Sequence, residues 1–453
     1  MEVKERIKRV DNIFGPYMPP RETWTPAEEA IYRPVDPFRV PIDEALATQL
    51  KAVKHAFTRQ HTLNGFYRTY CDESGVTPDD LKTTDDLEKV PLIPDLTFKT
   101  HPSGKDLAYW IAGLFTGDLP EIALENPDPT LDDVLNAFNA AGLAITYSSG
   151  TSGRHTVIPR DMRTFISFVY QSDKMRVGLW DDNPDHSLSL VPKPTSSNLF
   201  GAKAQTYQLQ MYRDHVYAMD FVITADQVAK AMTAKDPSAA APPSMYAVTQ
   251  KILQNSINWL ERYDKTSDTI TLFSVPGIYV ALMDLLEGQG KRFDFGERGM
   301  LLTGAGWSKT GGGGRISPEG FRKRVREMLG IPETHCFEGY AMTEGNWVAM
   351  SCPEGHYYHL PYATFKPLVL DDNLDPVGYD ERGRFAFLDP LAYSYPGFII
   401  TGDEVKMHEH CPVCDRPGPV LDPDIHRAEG EEVRGCADVV QRVLEQELNE
   451  GAG

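Results

Sequence analysis

The sequence predicts an α/β protein in which layered sheets are flanked by helices and a small β-rich subdomain follows. One observation is the alternation of apolar, strand-like segments such as MLLTGAGW with helical ones such as residues 317–330, which begin at Ser-Pro and end at Gly. These residues are typical helix boundaries. A second observation is the change after Tyr362 to short strands and turns, including NLDPVGYDERGRFAFL, which indicates the β-rich part.

The pattern divides the chain into four parts. Early in the chain, charged, aromatic and proline residues are mixed, and residues 42–60 have a helical pattern. Further on, residues 248–263 are also helical in pattern, and residues 271–290 predict a buried strand, a proline turn and a helix that ends at Gly. We therefore expect a mostly helical N-terminal part of the large domain, an α/β core, a β-rich subdomain and a short C-terminal segment, at residues 1–129, 130–360, 361–403 and 404–453.

Composition and charge exclude several classes of protein. With 41% hydrophobic, 24% charged and 10% aromatic residues, the chain is typical of globular proteins rather than of disordered, collagenous or coiled-coil ones. A formal net charge of -20 argues against a nucleic-acid-binding surface, which requires concentrated basic residues. The sequence contains no run of about eighteen apolar residues, so it predicts no membrane span. Its N-terminus carries charges where an export signal needs an apolar run. The uneven spread of the cysteines through a long chain is typical of reduced thiols in the cytoplasm.

The run YSSGTSGRHT contains a loop suited to holding an anion. Glycines let backbone N–H groups turn toward a bound phosphate, and hydroxyl side chains add further donors. The spacing differs from that of the common GxxxxGK[ST] phosphate loop, and a flexible serine-glycine surface loop is the alternative interpretation. The loop residues are Ser148, Ser149, Gly150, Thr151, Ser152, Gly153 and Arg154.

Three further stretches carry polar or glycine residues after apolar runs. In FEGYAMTEGNW, an aromatic ring, a hydroxyl and a carboxylate stand at Tyr340, Thr343 and Glu344, and these groups suit stacking on a base, holding a phosphate and holding Mg²⁺. In ITGDEV, the Asp403 carboxylate can accept hydrogen bonds from two ribose hydroxyls. Each string alone is also typical of an ordinary turn. The third stretch, TGAGW, holds Gly304, Ala305 and Gly306.

Four strings follow one another between residues 144 and 403, in the order SSGTSG, TGAGW, GYAMTE and TGD. Together they resemble the motifs of the adenylate-forming superfamily, which includes acyl-CoA synthetases, adenylation domains and firefly luciferase. The resemblance implies a large N-terminal adenylate-forming domain that uses ATP and Mg²⁺. It implies that the serine-glycine loop cradles the ATP phosphates, that Thr343 and Glu344 hold phosphate and Mg²⁺, and that Asp403 holds the ribose. The implied adenine site consists of Gly304, Ala305, Gly306, Gly339 and Tyr340.

Within the superfamily, three segments resemble those of the acyl-protein synthetases of bacterial bioluminescence: SSGTSGR, LLTGAGWSKTGGGG and the CPVCDR segment after TGD. They are also similar to phenylacetate-CoA ligases and to the short adenylating enzymes of phenazine pathways. Two features depart from the superfamily pattern. Arg154 stands where most members have lysine, so it is a candidate for the charge contact to pyrophosphate. About fifty residues follow Asp403, against about a hundred in the usual C-terminal cap domain, so we expect this cap to be short or absent and find no counterpart of its lysine.

Three cysteines are candidates for chemistry or metal binding. The bioluminescence enzymes carry their acyl group on a cysteine near the chain end, which makes Cys436 a candidate acyl carrier; a small buried side chain is the alternative. Cys411 and Cys414 form one CxxC pair, which suits a structural Zn²⁺ if two more ligands meet it in the fold. A turn with two reduced thiols is the alternative. The candidate partners are Cys352 or His356, or the local His408 and His410.

The sequence therefore predicts an adenylate-forming ligase of the acid-thiol type. It would activate a fatty or aromatic carboxylic acid with ATP, release pyrophosphate and pass the acyl group to a thiol or another nucleophile. The acceptor would be an acyl acceptor protein, a carrier protein or CoA. Three alternatives are open: a CoA ligase of the phenylacetate type, an enzyme that delivers its adenylate to a partner protein in natural-product biosynthesis, and a non-catalytic nucleotide-binding protein.

Overall fold

The computed structural model describes residues 2–148, 155–180, 185–222, 224–227, 243–304 and 316–428. Within these residues, a large mixed sheet is flanked by helices, which confirms the predicted α/β class. The helices are α1 (Val3–Phe14), α2 (Pro26–Tyr32), α3 (Ile42–Leu63), α4 (Gly65–Ser74), α5 (Asp106–Leu114), α6 (Leu131–Ala140), α7 (Met162–Leu179), α8 (Phe200–Gln208), α9 (Pro243–Tyr263), α10 (Pro276–Gly288) and α11 (Pro318–Leu329).

The described strands range from two residues to the eleven residues of the longest, Phe398–His408. They are β1 (Ile93–Pro94), β2 (Thr146–Tyr147), β3 (Val157–Ile158), β4 (His186–Pro192), β5 (Asp214–Met219), β6 (Ile270–Ser274), β7 (Gly299–Gly304), β8 (Cys336–Tyr340), β9 (Ala349–Ser351), β10 (Tyr358–His359), β11 (Lys366–Leu370), β12 (Arg382–Leu388), β13 (Phe398–His408), β14 (Val420–Leu421) and β15 (His426–Arg427).

Helices begin and end where the sequence supplies caps. The helix α11 starts after Ser317, whose hydroxyl accepts from the Gly320 N–H at 3.1 Å, and it ends at Gly330 with a left-handed φ of 69°. The helix α7 starts after Asp161, whose carboxylate accepts from the Thr164 N–H at 2.7 Å. The boundaries of α11 agree with those predicted from the sequence. None of the described helices is long and apolar enough to cross a membrane.

The strands β5, β4, β6, β7 and β8 lie in this order and are parallel to their neighbours. Their alternation with α9, α10 and α11 follows the usual connection of parallel strands by helices. A hydrophobic cluster joins the two layers, because Leu272 and Leu301 of the sheet are buried with Tyr279, Leu282 and Phe321 of the helices. The core residues of this layer therefore hold β7 and β8 at fixed positions.

The same sheet continues as antiparallel strands in the order β8, β9, β10, β14, β13, β12 and β11. The strand β1 pairs parallel with β13, β15 pairs antiparallel with it, and β2 and β3 form a separate pair. This region confirms that a β-rich part follows Tyr362. The long strand β13 carries Asp403 and lies between β12 and β14, so backbone pairing fixes its position from both sides.

Candidate active site

Two neighbouring parallel strands, β7 and β8, end at the same edge of the sheet, where two predicted motifs lie. Gly304 is the last residue of β7 and pairs with Gly339, and Tyr340 is the last residue of β8. In open α/β sheets, ligands bind outside the carboxyl ends of the strands. The segment that follows β8 carries Thr343 and Glu344, so the fold places both at this edge.

Arg160 holds the loop that carries Thr343 and Glu344. This arginine is 0% exposed, and its guanidinium donates to Asn346 Oδ1 at 2.8 Å, to the Gly345 carbonyl at 2.9 Å and to the Thr343 carbonyl. A buried arginine is stable only when its N–H groups are paired in this way. Sequence reasoning missed Arg160, since nothing in the string VIPR distinguishes it from a surface residue.

Two more side chains fix the same loop. The Tyr395 hydroxyl donates to the backbone carbonyl of Glu344 at 2.8 Å, and the backbone N–H of Asn346 donates to the Asp389 carboxylate at 2.5 Å. Tyr395, Asn346 and Asp389 are all buried. The backbone around Glu344 is therefore preorganised, and its side chain does not depend on a ligand for its position.

The Glu344 carboxylate lies among groups of both charges. It is 6% exposed, accepts a hydrogen bond from Thr156 Oγ1 at 2.9 Å, and lies 3.8 Å from the Lys99 ammonium nitrogen. Lys99 also contacts the Asp95 carboxylate. Burial raises the pKa of the Glu344 carboxyl, and the positive charge of Lys99 acts in the opposite direction. Lys99 and Thr156 are further site residues that the sequence did not reveal.

Asp403 is engaged through both of its carboxylate oxygens. Tyr340 donates its hydroxyl hydrogen to Oδ2 at 2.9 Å, and Arg427 lies 3.2 Å from Oδ1. Antiparallel pairing of β13 with β15 sets Asp403 opposite Arg427, and the same arginine lies 3.8 Å from Asp95. The resemblance assigned Tyr340 to the adenine site; the structure shows its hydroxyl bonded to the carboxylate that is predicted to bind ribose. Arg427 was not singled out from the sequence.

The base of the serine-glycine loop lies beside Glu344. The Ser148 N–H donates to the Thr156 carbonyl at 2.9 Å, and the Thr156 N–H donates to Ser148 Oγ at 2.8 Å. Since Thr156 also bonds to Glu344, the two ends of the loop open next to this carboxylate. The other predicted residues of the phosphate, adenine and acyl-carrier sites lie outside the described residues: Ser149, Gly150, Thr151, Ser152, Gly153, Arg154, Ala305, Gly306 and Cys436.

The described site residues form one continuous polar chain. Contacts run from Ser148 through Thr156 to Glu344, from Glu344 through Lys99 to Asp95, and from Asp95 through Arg427 to Asp403 and Tyr340. Residues of three motifs that are far apart in the sequence, SSGTSG, GYAMTE and TGD, are therefore joined by these contacts. Such a site offers hydroxyl and N–H donors for phosphate and carboxylates for a cation and for ribose.

The CxxC pair lies away from this chain of contacts, in the turn between β13 and β14. Cys411 and Cys414 meet Cys352 and His359, and the four ligand atoms lie within 4.8 Å of one another. Of the partners considered from the sequence, Cys352 joins this group. His356, His408 and His410 are not members of it. His359, in β10, takes the fourth position and was missed, because only the pairing of β10 with β9 and β14 brings it there.

The fold and the order of the motifs along the site define an adenylate-forming ligase. An open conformation of 2-hydroxyisobutyryl-CoA ligase in complex with 2-HIB-AMP and CoA aligns with 88% of this chain and 73% of its own, with a TM-score of 0.58 and 15% identity. The same ligase in its thioesterification state aligns with 86% of this chain and 69% of its own, with a TM-score of 0.55 and 16% identity. At these identities the likeness concerns the fold.

The sequence model of the acyl-protein synthetase family, LuxE, matches residues 144–445, and the chain belongs to this family. A curated relative, the long-chain-fatty-acid–luciferin-component ligase of Vibrio harveyi, is 23% identical over 391 residues, which is 85% of this chain and 85% of that protein. These findings confirm the predicted superfamily and the resemblance to the bioluminescence enzymes.

Proposed function

We propose that the protein activates a carboxylic acid with ATP and passes the acyl group to a thiol. In the first step, a carboxylate oxygen of the substrate attacks the α-phosphorus of ATP, and the bond to the β-phosphate breaks as pyrophosphate leaves with the electron pair. In the second step, a thiolate attacks the acyl carbon, a thioester forms and AMP leaves. The observation that supports this proposal is the contact of Thr156 with both Ser148 and Glu344, since it brings the first residue of the predicted phosphate loop close to a buried carboxylate.

The carboxylic acid substrate is already ionised at neutral pH, so the first step needs no general base. The chain's contribution is positioning and charge. Lys99 places an ammonium group beside Glu344, in a site where the sequence indicated only Arg154 as a cation. We propose that Lys99 and Arg154 both offset negative charge on the phosphates, with Arg154 near the leaving pyrophosphate.

The proposed ligand contacts follow the motifs. Ser148, with the backbone and hydroxyl groups of the loop through Gly153, would bind the phosphates, Asp403 would bind the ribose, and Thr343 would bind phosphate. The adenine site would be formed by Gly304, Ala305, Gly306, Gly339 and Tyr340. Glu344 would hold Mg²⁺, for which a buried carboxylate with preorganised backbone is a suitable ligand; when bound, this ion would neutralise phosphate charge.

The burial and pKa of the described thiols indicate which cysteine could carry the acyl group. Cys71 and Cys336 are buried, and burial raises the pKa of each thiol to about 12, so neither forms a thiolate readily at neutral pH. Cys352, Cys411 and Cys414 lie in the cluster with His359. We therefore propose Cys436 as the acyl-carrying thiol of this chain, with an acyl acceptor protein, a carrier protein or CoA as the next acceptor.

The remaining features of the proposal concern the whole chain. We propose a fatty or aromatic acid as the substrate. We also propose the cytoplasm as the location, since the five described cysteines are all free thiols. Zn²⁺ would be a structural ion and would take no part in the chemistry. We also propose the four-part division at residues 1–129, 130–360, 361–403 and 404–453.

Exchange of labelled pyrophosphate into ATP tests the first step. With Mg²⁺ and a panel of fatty, aromatic and amino acids, we expect exchange that depends on the acid, and a loss of at least about 100-fold in Glu344→Gln, because this carboxylate is the proposed Mg²⁺ ligand. Glu287→Gln, on the exposed side of α10, is the matched control and should keep full exchange. Absence of exchange with every acid would leave the non-catalytic nucleotide-binding alternative as the better account.

A further inference from the structure

A second polar cluster lies outside the proposed active site and consists of Cys352, His359, Cys411 and Cys414. Cys352 follows β9, His359 belongs to β10, and the two other cysteines lie in the turn between β13 and β14. Cys352, His359 and Cys411 are buried, and Cys414 is partly buried. Three thiols and an imidazole from three separate segments thus meet in one place.

The distances in this cluster fit a tetrahedral metal ion. Sulfur and nitrogen ligands about 2.3 and 2.0 Å from Zn²⁺ in tetrahedral geometry lie about 3.8 Å apart when both are sulfur, and about 3.5 Å apart when one is nitrogen. The Cys352 and Cys411 sulfurs are 4.0 Å apart, and the Cys414 sulfur is 3.4 Å from His359 Nε2. A disulfide bond requires sulfurs about 2.05 Å apart, so none of the described cysteines forms one here.

The backbone around the cysteines is shaped for thiolate ligands. Burial raises the pKa of the Cys352 thiol, and the backbone N–H groups of Gly355 and Tyr357 act in the opposite direction. Burial likewise raises the pKa of Cys411, and the N–H groups of Val413 and Cys414 oppose it. Such donors stabilise negative charge on sulfur. The two turns also touch, because a Cβ on Gly355 would lie 2.4 Å from a methyl carbon of Val413. The sequences CPEG and CPVC therefore form two facing turns with their sulfurs directed to one point.

A charged residue next to the cluster balances the charge that metal binding would create. Three thiolates, one neutral imidazole and Zn²⁺ together carry a net charge of about −1. The Arg416 guanidinium interacts favourably with the Cys414 thiol, and it is itself fixed by two hydrogen bonds to Glu354 at 2.8 and 3.1 Å. This arrangement, in which a second residue orients a ligand, is typical of metal sites.

We infer that Cys352, His359, Cys411 and Cys414 bind one structural Zn²⁺ ion. Binding forms three Zn–S bonds and one Zn–N bond, and the three thiol protons pass to solvent. All four tetrahedral positions are filled by side chains, so no position is open for a substrate or a catalytic water. The site is structural for this reason.

The ion would act on the fold at a defined place. It would join the β9–β10 turn to the end of β13, and β13 carries Asp403, while β9 pairs with β8 at Tyr340. The zinc site would thus link β13, which supplies Asp403, to β9, the neighbour of the strand β8 that supplies Tyr340. Loss of zinc should lower the thermal midpoint of unfolding without removing any residue that contacts ligands.

Metal analysis of the full chain tests this inference. After expression with zinc in the medium and exhaustive dialysis, we expect about one zinc per chain, and refolding with Co²⁺ should give the intense sulfur-to-metal absorption of a tetrahedral thiolate site. His359→Cys should retain the ion because cysteine is also a zinc ligand, whereas His359→Ala and Cys414→Ser should lose it. His410→Asn, next to the CxxC pair but outside the cluster, should keep one zinc.

Each outcome bears on the inference independently of acyl activation. A wild-type chain that is folded yet binds neither zinc nor Co²⁺ would overturn it, and so would zinc that stays bound in both His359→Ala and Cys414→Ser. If these variants fail to fold, the wild-type stoichiometry and the Co²⁺ spectrum still decide the question. Pyrophosphate exchange is not used as a readout, so failure of the proposed function would leave this test unaffected.

Discussion

At the scale of single residues, the environment of Glu344 decides whether the site can bind a cation. The carboxylate is ionised above its pKa, and burial raises that pKa while Lys99 lowers it. The ionised fraction therefore falls as the pH decreases through the raised pKa. This carboxylate also interacts electrostatically with Asp95, Arg160, Arg427, Tyr340 and Tyr395, so its titration reports the charge of the whole site.

Replacement of Lys99 by Met should move the acid limb of the pH profile. Without the ammonium group 3.8 Å away, the pKa of Glu344 rises further, so pyrophosphate exchange should be lost at a higher pH than in the wild type. Lys99→Arg keeps the positive charge and should leave the limb near its wild-type position. Lys82→Met removes an exposed lysine as the control. An unchanged limb in Lys99→Met would show that Glu344 is not the group that titrates.

At the scale of elements, the loop between β8 and β9 is held mainly by one side chain from another part of the chain. Arg160 follows β3 and reaches the carbonyls of Thr343 and Gly345 and the Asn346 side chain. Its removal leaves several buried acceptors unpaired at once, and each costs free energy. The loop should therefore lose its fixed shape although no residue within it has changed.

We expect Arg160→Leu to lower the free energy of unfolding by about 3–5 kcal/mol, because it breaks a buried, charge-assisted network. Denaturant titration followed by fluorescence measures this difference. The control is Arg39→Leu, which removes an exposed ion pair with Asp415 and should cost at most about 1 kcal/mol. Equal effects of the two substitutions would mean that the hydrogen bonds of Arg160 contribute little to the fold.

Elements with local signals were predictable from the sequence, and contacts between distant segments were not. The ends of α11 depend on Ser317 and Gly330, which act within one helical turn, and both were identified correctly. Arg160 is 183 residues from Thr343, and Thr156 is 188 from Glu344. Only the assembled sheet brings such pairs together. His359 was missed for the same reason, since its neighbour His356 offers the same chemistry but lies at the wrong place.

At the scale of the whole molecule, an acidic protein binds an anionic nucleotide. The formal net charge is -20, and ATP and pyrophosphate are also negative, so long-range electrostatics oppose their approach. Binding must therefore depend on positive groups within the site, and the described part of the chain supplies Lys99 and Arg427 there. Both are held by carboxylates, which keep their charge in place without a ligand.

The distribution of thiols over the whole molecule leaves Cys436 as the expected carrier of the acyl group. Cys71 and Cys336 are buried with raised pKa values, and the cluster with His359 accounts for three more cysteines. After incubation with ATP, Mg²⁺ and a substrate acid, we expect intact-protein mass to increase by one acyl group, in a form that hydroxylamine removes as it does thioesters. Cys436→Ala should abolish this adduct while acid-dependent pyrophosphate exchange continues, because exchange requires only the first step. Cys71→Ala, as the control, should keep the adduct. An adduct that persists in Cys436→Ala would assign the acyl group to another nucleophile.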